Sequence, residues 1–514
     1  MVYFPRIMFK IVLGTPACTR ASVRFPATAR LWHNRPMDLP DLLVRLRKRT
    51  VAFDAALFLA PARDGQIPPD PQAAVAAVEA ELEEEFGQGI WRQFADAAAA
   101  ALPGKPVPRL VQVMLARRAL AEGDAKAALR LAVAALAREQ RDLVAQDVYL
   151  RARAASGEGP GPVDPRGRFC AKPWRELELR PDLSAHACCP SWLTVPIGQA
   201  DGSGGSGFWN SPAAKAIRRS VLDGSFTWCS RLHCPHLSAE RLPERAAVSD
   251  RELVAIIEDE VTEVDAGPRR VLLNYDRSCN LACPSCRRER IVADQTERLR
   301  LDEVADRVVL PLLRDARMVK ATGSGDPFAS AHFRRLLKQL DRQSYPRLRL
   351  QLQTNGLLCD ERAWDELDLE GRVDALWVSI DAAEADTYAV IRRHGDWQRL
   401  RANLDFMARL RARGGVREWR LDFVVQTLNY AEMPAAAELA RSLGADGIHF
   451  HMIRNWGTFT PDEFRRHFIA APDHPEHRRF IATLHDPLLD WDKIDWSDLT
   501  PLRNQALTAA SRAA

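Results

Sequence analysis

The chain has 514 residues, 46% hydrophobic and 27% charged, with a net charge of only +4. That length carries two to four domains, each able to bury a core. The weak charge argues for neither a nucleic-acid nor a membrane partner, and no uninterrupted apolar run is long enough to span a bilayer. The ten cysteines fall in clusters, not at the paired spacings of a small secreted domain, which points to a reducing, cytoplasmic setting and to metal thiolates in place of disulfides.

Residues 1–37 contain no Asp or Glu but carry Arg6, Lys10, Arg20, Arg24, Arg30 and Arg35. This is the composition of a disordered basic extension, which a transit peptide would share. Residues 38–156 are rich in Ala and Leu with helical periodicity, and amphipathic helices are predicted at Pro71–Phe86 and Arg109–Glu122. A turn at Gly123-Asp124, followed by Ala128, Ala132 and Ala135, reads as one tetratricopeptide-type helix pair. Gly157 to Arg168 has the composition of a linker.

Next comes a cysteine group: Cys170, Cys188, Cys189, Cys229 and Cys234. So many thiols in a loop-rich segment, 168–240, predict a module stapled by a metal. A four-thiolate zinc site and an iron–sulfur cluster both suit it. A charged amphipathic helix over Asp250–Val264 then leads into the core domain.

The densest chemical signal is Cys279-Asn280-Leu281-Ala282-Cys283-Pro284-Ser285-Cys286, a Cys-X3-Cys-X2-Cys pattern just past a short apolar strand. Loops at the C-terminal ends of parallel strands carry chemistry. Three such thiolates suit an iron–sulfur cluster, and on a four-iron cluster they leave one iron open. Structural zinc sites normally close with four ligands, a poor match to this spacing.

The motif resembles the signature of the radical S-adenosylmethionine (radical SAM) family. The resemblance implies that Cys279, Cys283 and Cys286 hold a [4Fe-4S] cluster. It also implies that S-adenosylmethionine binds the open iron, that an electron donor such as flavodoxin or ferredoxin supplies the cluster, and that a 5′-deoxyadenosyl radical takes hydrogen from a substrate. One departure is Ser285, where the family usually has an aromatic residue near the adenine. The segment 168–240 is similar to the SPASM or twitch auxiliary-cluster modules of such enzymes, which implies one auxiliary cluster on Cys170, Cys188, Cys229 and Cys234. Here too there are departures. The spacing leaves Cys188 and Cys189 as alternative ligands, the central cysteine block is reduced to Cys229 and Cys234, and the module precedes the catalytic domain.

From residue 268 on, strand and helix signals alternate. Strands are predicted at Val271–Asn274, Met318–Ala321, Leu348–Thr354, Ala375–Ile380, Arg420–Val425 and Gly447–His451. Helices are predicted at Leu301–Arg314, Ala331–Asp341, Glu361–Glu366, Trp397–Arg413 and Met433–Leu443. The expected fold is α/β: a partial (β/α)6 parallel barrel over 265–460, preceded by the metal-cluster module and the helical domain, with a tail, 461–514, packed on it.

Candidate S-adenosylmethionine contacts lie at the strands' C-terminal ends. Gly323, Ser324, Gly325 and Asp326 match the position of the family's Gly-Gly-Glu-type motif. There glycines would let backbone approach the ligand, and Asp326 would accept from its ammonium. Asn355 sits in a Thr-Asn-Gly turn, Ser379 and Asp381 project to one side of a strand end, and Gln426 ends the fifth strand. Arg392, Arg393 and His394 read equally as anion contacts or as a solvated helix end. His449 and His451 read as packing or substrate contacts. The expected activity is radical SAM chemistry on a peptide or small molecule, with no nucleic acid or membrane partner. The alternative is a non-catalytic metal-binding scaffold.

Overall fold

The computed structural model describes residues 39–59, 61, 65–99, 107–201, 205–321 and 324–513. The predicted basic extension at 1–37 and the candidate Gly323 lie outside the described residues.

Helices at Leu39–Asp54, Pro71–Phe86, Ile90–Ala99, Arg109–Ala121, Ala125–Leu136 and Leu143–Ala155 form the N-terminal part. The second of these starts where Asp70 accepts from the amides of Gln72 and Ala73, with Pro71 at the first helical position. Gly123 makes the turn between two later helices at φ 85°, and Asp124 caps the one that follows. Ala116, Ala128, Ala132 and Ala152 are fully buried where these helices meet, their small side chains permitting close approach. The helices dock on the cysteine module: Trp228 Nε1 donates to the Pro69 carbonyl at 3.1 Å, and Ser230 Oγ to Gln146 Oε1 at 2.7 Å.

One sheet of ten strands runs through the rest. Its strands are β1 (Glu176–Leu179), β2 (Ser184–His186), β3 (Gly198–Gln199), β4 (Arg270–Leu273), β5 (Met318–Ala321), β6 (Arg349–Thr354), β7 (Val373–Ser379), β8 (Val416–Val425), β9 (Gly447–Met452) and β10 (Ile494–Asp495). Their order is β10-β9-β8-β7-β6-β5-β4-β1-β2-β3. Strands β4 to β9 are the six expected ones and are mutually parallel. Two additions alter the expected picture. The module is not a separate loop-rich body, because β1 pairs parallel with β4 and begins an antiparallel meander through β2 and β3. The tail adds β10 beside β9 in parallel register.

Parallel strands buried on both faces are apolar throughout; these alternate. Val271, Leu273, Val319, Leu350, Leu352, Leu376, Val378, Leu421, Phe423, Ile448 and Phe450 are essentially fully buried and form one core with Phe333, Leu404, Met407 and Ala436 of the flanking helices. The other face carries Glu178, Leu272, Lys320 and Gln351 in one row across four strands, and Ser379, Asp422, His449 and Asp495 in another.

The module has its own lock. Arg218, fully buried, donates to the carbonyls of Pro173 (3.0 Å), Thr262 (2.9 Å) and Trp209 (2.9 Å) and to Asn210 Oδ1 (2.8 Å). The segment up to Val264 belongs to the same packing unit: Leu253 and Ile256 sit in one cluster with Phe169, Trp174 and Phe226.

Candidate metal centres and cofactor site

The loop after β4 is held by its own polar side chains. Asp276 Oδ1 accepts the Ser278 amide at 2.8 Å. The Cys279 amide donates to the Ile291 carbonyl at 2.8 Å, closing the loop's base, and the Ala282 amide donates to the Arg393 carbonyl at 3.1 Å. Cys279 and Cys283 are buried, and Cys286 is exposed.

Each of the three sulfurs receives an N–H from the protein. Cys279 Sγ accepts from the Leu281 amide at 3.5 Å and from Asn355 Nδ2 at 3.7 Å. Cys283 Sγ accepts from Arg392 Nη1 at 3.7 Å, and Cys286 Sγ from Arg287 Nη2 at 3.3 Å. Burial pushes the Cys279 thiol up to about 11, with the charge of Asp326 adding to it. Burial raises Cys283 as well, Arg392 opposing it and Cys286 adding to the rise. Such thiols ionise when a cation is placed among them.

Arg392 was not distinguishable in sequence from a solvated helix end; it is buried. Its Nη2 meets Asp381 Oδ2 at 2.8 Å, so one guanidinium joins the end of β7 to a cysteine of the β4 loop. Asp381 takes the left-handed conformation, φ 55°, which a short polar side chain tolerates. Its Oδ1 accepts the Val424 amide and its carbonyl accepts Asn429 Nδ2, both at 2.8 Å. Gln426 enters through its backbone: its amide donates to Asn429 Oδ1 at 2.8 Å. Ser379 stands apart, in the row with Asp422 and His449 on the polar face.

The β5 loop differs from its expected use in two respects. Asp326 is 1% exposed, and four donors fill its carboxylate. These are Thr354 Oγ1 and the Asn355 amide on Oδ2, both at 2.8 Å, and the Phe328 and Ala329 amides on Oδ1 at 3.0 and 3.2 Å. It clamps the β5 loop to the end of β6 and is not a free acceptor for an ammonium group. The close approach at Gly325 is to the protein itself: a Cβ there would lie 2.6 Å from the Ser278 carbonyl oxygen and 2.8 Å from that of Asp276. Ser324 ties in on both sides, its carbonyl accepting Arg287 Nη2 at 2.7 Å and its hydroxyl donating to the Asn274 carbonyl. Asn355 Nδ2 also reaches Asn280 Oδ1 at 2.9 Å.

The fold thus gathers Cys279, Cys283, Cys286, Ser324, Gly325, Asp326, Asn355 and Asp381 into one network. Sequence reasoning missed Arg287 and left Arg392 open between an anion contact and a solvated helix end; both supply charge to the sulfurs. The signal for Arg287 is its place directly after Cys286. For Arg392 only the tertiary contact with Asp381 decides between its two readings.

In the second group, Cys170 and Cys234 each raise Cys229, and Cys170, Cys189 and Cys229 raise Cys188, on top of the dominant effect of burial. Cys189 turns elsewhere, toward Glu178 and Ser191. Lys172 is the nearby cation, held to Glu176 at 2.7 Å. Among the described residues no three Cys, His, Asp or Glu side chains are already drawn together tightly enough to grip a metal ion. The fit therefore rests on the surroundings: thiols raised by burial and by one another, and N–H donors on all three loop sulfurs, suit thiolates bound to an iron–sulfur cluster.

Residues 273–440 match the model of the Radical SAM superfamily. The chain therefore carries a radical SAM domain there, whose family cofactors are a [4Fe-4S] cluster and S-adenosylmethionine. No curated protein matches the chain. Among solved structures it is similar to SuiB of Streptococcus suis bound to S-adenosylmethionine, at 13% identity over 56% of this chain and 63% of that one, TM-score 0.31. It is also similar to TYW1 with a lysine–pyruvate adduct bound (15%, 38% and 66%, 0.25). A third is the radical S-adenosylmethionine methyltransferase TsrM of Kitasatospora setae (16%, 36% and 34%, 0.27). The chain spans less than two thirds of each of them. No helix among the described residues is long and apolar enough to cross a membrane.

Proposed function

We propose that the protein is a radical SAM enzyme acting on a peptide or small molecule, its polar sheet face lining a partial barrel. Cys279, Cys283 and Cys286 would hold the [4Fe-4S] cluster, and Cys170, Cys188, Cys229 and Cys234 one auxiliary iron–sulfur cluster. The loop at Gly323–Asp326, with Asn355, Ser379, Asp381 and Gln426, would border S-adenosylmethionine. When bound, the cluster and S-adenosylmethionine supply a reducing electron and a hydrogen-abstracting carbon radical. A flavodoxin or ferredoxin would deliver the electron in the cytoplasm, and the N-terminal helices, read as tetratricopeptide-like, would dock a partner.

The observation that carries this reading is the separate N–H donor on each of the three loop sulfurs. Donors on sulfur spread negative charge and tune a cluster's potential. In this chain Arg287 and Arg392 do that with full positive charges, and Asp381 fixes where Arg392 points. Asp326 and Gly325 set the distance between the β5 loop and the cysteine loop.

The test is anaerobic reconstitution with iron and sulfide, then reduction with dithionite in the presence of S-adenosylmethionine. Formation of 5′-deoxyadenosine is expected. A protein that takes up its full iron and yields none would be a scaffold instead, and four-thiolate zinc at the second site would remove the auxiliary cluster.

A further inference from the structure

The polar face of the sheet holds buried groups that neither cysteine site uses. Glu178, Leu272 and Lys320 lie side by side on β1, β4 and β5. Two strand spacings, about 10 Å, separate the backbones of the outer two. Leu272 between them is half-buried and makes an apolar floor.

Glu178 is 2% exposed. Its Oε1 is taken by Arg180 at 2.5 Å and Asn274 Nδ2 at 3.0 Å, but among the described residues its Oε2 has no hydrogen-bond partner, and neither has Asn274 Oδ1. Both are buried acceptors at the same corner, and a buried polar atom without a partner costs about 1–3 kcal/mol. Opposite them, Lys320 makes no hydrogen bond or ion pair among the described residues. Its Nζ lies 4.3 Å from the centre of the Trp377 ring, and it feels Glu178 and Asp422 without touching either. Burial pulls its ammonium down to about 8, Arg420 and Arg270 acting in the same sense. The neighbouring charges are engaged: Arg420 Nε binds Asp422 Oδ1 at 2.7 Å, and Arg270 Nη2 binds Gln351 Oε1 at 3.3 Å, leaving its buried Nε unpaired.

We infer that this slot binds the α-amino acid head of a substrate, its ammonium on Glu178 and Asn274 and its carboxylate on Lys320. An ammonium offers three donors to the two empty acceptors, and a carboxylate supplies the counter-ion that Lys320 lacks. A phosphate would set its charge against the Glu178 acceptor, and a neutral sugar or base would leave Lys320 uncompensated. The assignment rests on the radical SAM reading only in calling the ligand a substrate.

The test uses the full-length protein with its clusters reconstituted and S-adenosylmethionine absent, so that binding is read without turnover. Saturation-transfer NMR is run with the twenty free L-amino acids and with their N-acetyl and amide forms. At least one free amino acid is expected to bind, and blocking either end should weaken it tenfold or more. Glu178→Gln and Lys320→Met should each weaken it tenfold or more, with Lys320→Arg retaining most of the affinity. Iron content and S-adenosylhomocysteine affinity should hold in all three variants, which checks that they fold. The inference is overturned if no free amino acid binds, if both variants bind as the parent does, or if they lose S-adenosylhomocysteine, which would make the slot the seat of the cofactor's own methionine. Formation of 5′-deoxyadenosine is a separate readout, so the radical reading and this one can fail independently.

Discussion

The two cysteine groups are built differently around the same element. The loop after β4 has three sulfurs, one of them exposed, and each receives a protein N–H, two from guanidinium groups. The module sets Cys170 within electrostatic reach of Cys188, Cys229 and Cys234, and the cations these thiols feel are Lys172, itself paired to Glu176, and Arg231. Three ligands and added positive charge suit a centre that keeps a coordination place for a small molecule. Four thiols, two buried and two half-buried, with little added charge would suit a closed one. Strand β1, paired to β4, sets the two groups on one sheet.

The sharpest break of that contrast is in the sulfurs. Cys283→Ala should lower 5′-deoxyadenosine formation at least a thousandfold, whereas Cys189→Ser, outside both groups, should leave it within about twofold. Product quantification by chromatography decides both. Next is the charge supply: Arg392→Met leaves Asp381 buried with no cation, and chemical denaturation should show a loss of about 3–5 kcal/mol. Among the described residues no arginine of the module donates to its sulfurs, so Arg392→Met should also lower first-site iron while Arg218→Met should not, and an equal loss from both would undo the distinction.

Gly325→Ala forces a methyl against two backbone oxygens beneath the cysteine loop. It should cost about 1–3 kcal/mol and reduce iron at the first site, read by metal analysis, while second-site iron persists. Asp326→Asn replaces an acceptor with a donor facing donors and should cost about 1–3 kcal/mol by denaturation. The smallest effect is a pH slope. Burial lowers the Lys320 pKa in the folded chain to about 8, so the unfolded chain binds more protons between there and the ordinary lysine value. Stability contributed by this site should therefore rise as pH climbs through that window. The slope difference between the parent and Lys320→Met, from denaturation midpoints, measures it; Glu178, Asp422, Arg420 and Arg270 face the same ammonium and stay in both.

Much of the core was legible from the chain. Five of the six predicted central strands fall within two residues of those observed, and β8 begins four residues earlier than expected, at Val416. Each pairs a run of apolar residues with a turn signal, and parallel strands separated by helices leave little choice of order. The edges were not legible. Glu176–Leu179 is four residues long and pairs with a strand more than ninety residues later; Ile494–Asp495 has two. Segments so short have no periodicity to read. The helix Ala385–Ile391 was missed as well. For the site, cysteine spacing was enough to propose the ligands but left Cys188 and Cys189 as alternatives; Cys188 feels Cys170, Cys189 and Cys229, and Cys189 feels Glu178.

By itself, then, the sequence determined the residue types and their spacing: three thiols on one loop, a strand–helix alternation, a Gly- and Asp-bearing turn after the second strand. Those are local properties, set by covalent order and by the period of burial. The tertiary structure decided which charges meet. Arg392 reaches Cys283 and Asp381 across more than a hundred residues and across eleven, respectively, and Asp326 spends its carboxylate on the next strand. Burial is what makes those encounters count, because a guanidinium or a carboxylate removed from water must find a partner, and the fold alone determines which one is in reach.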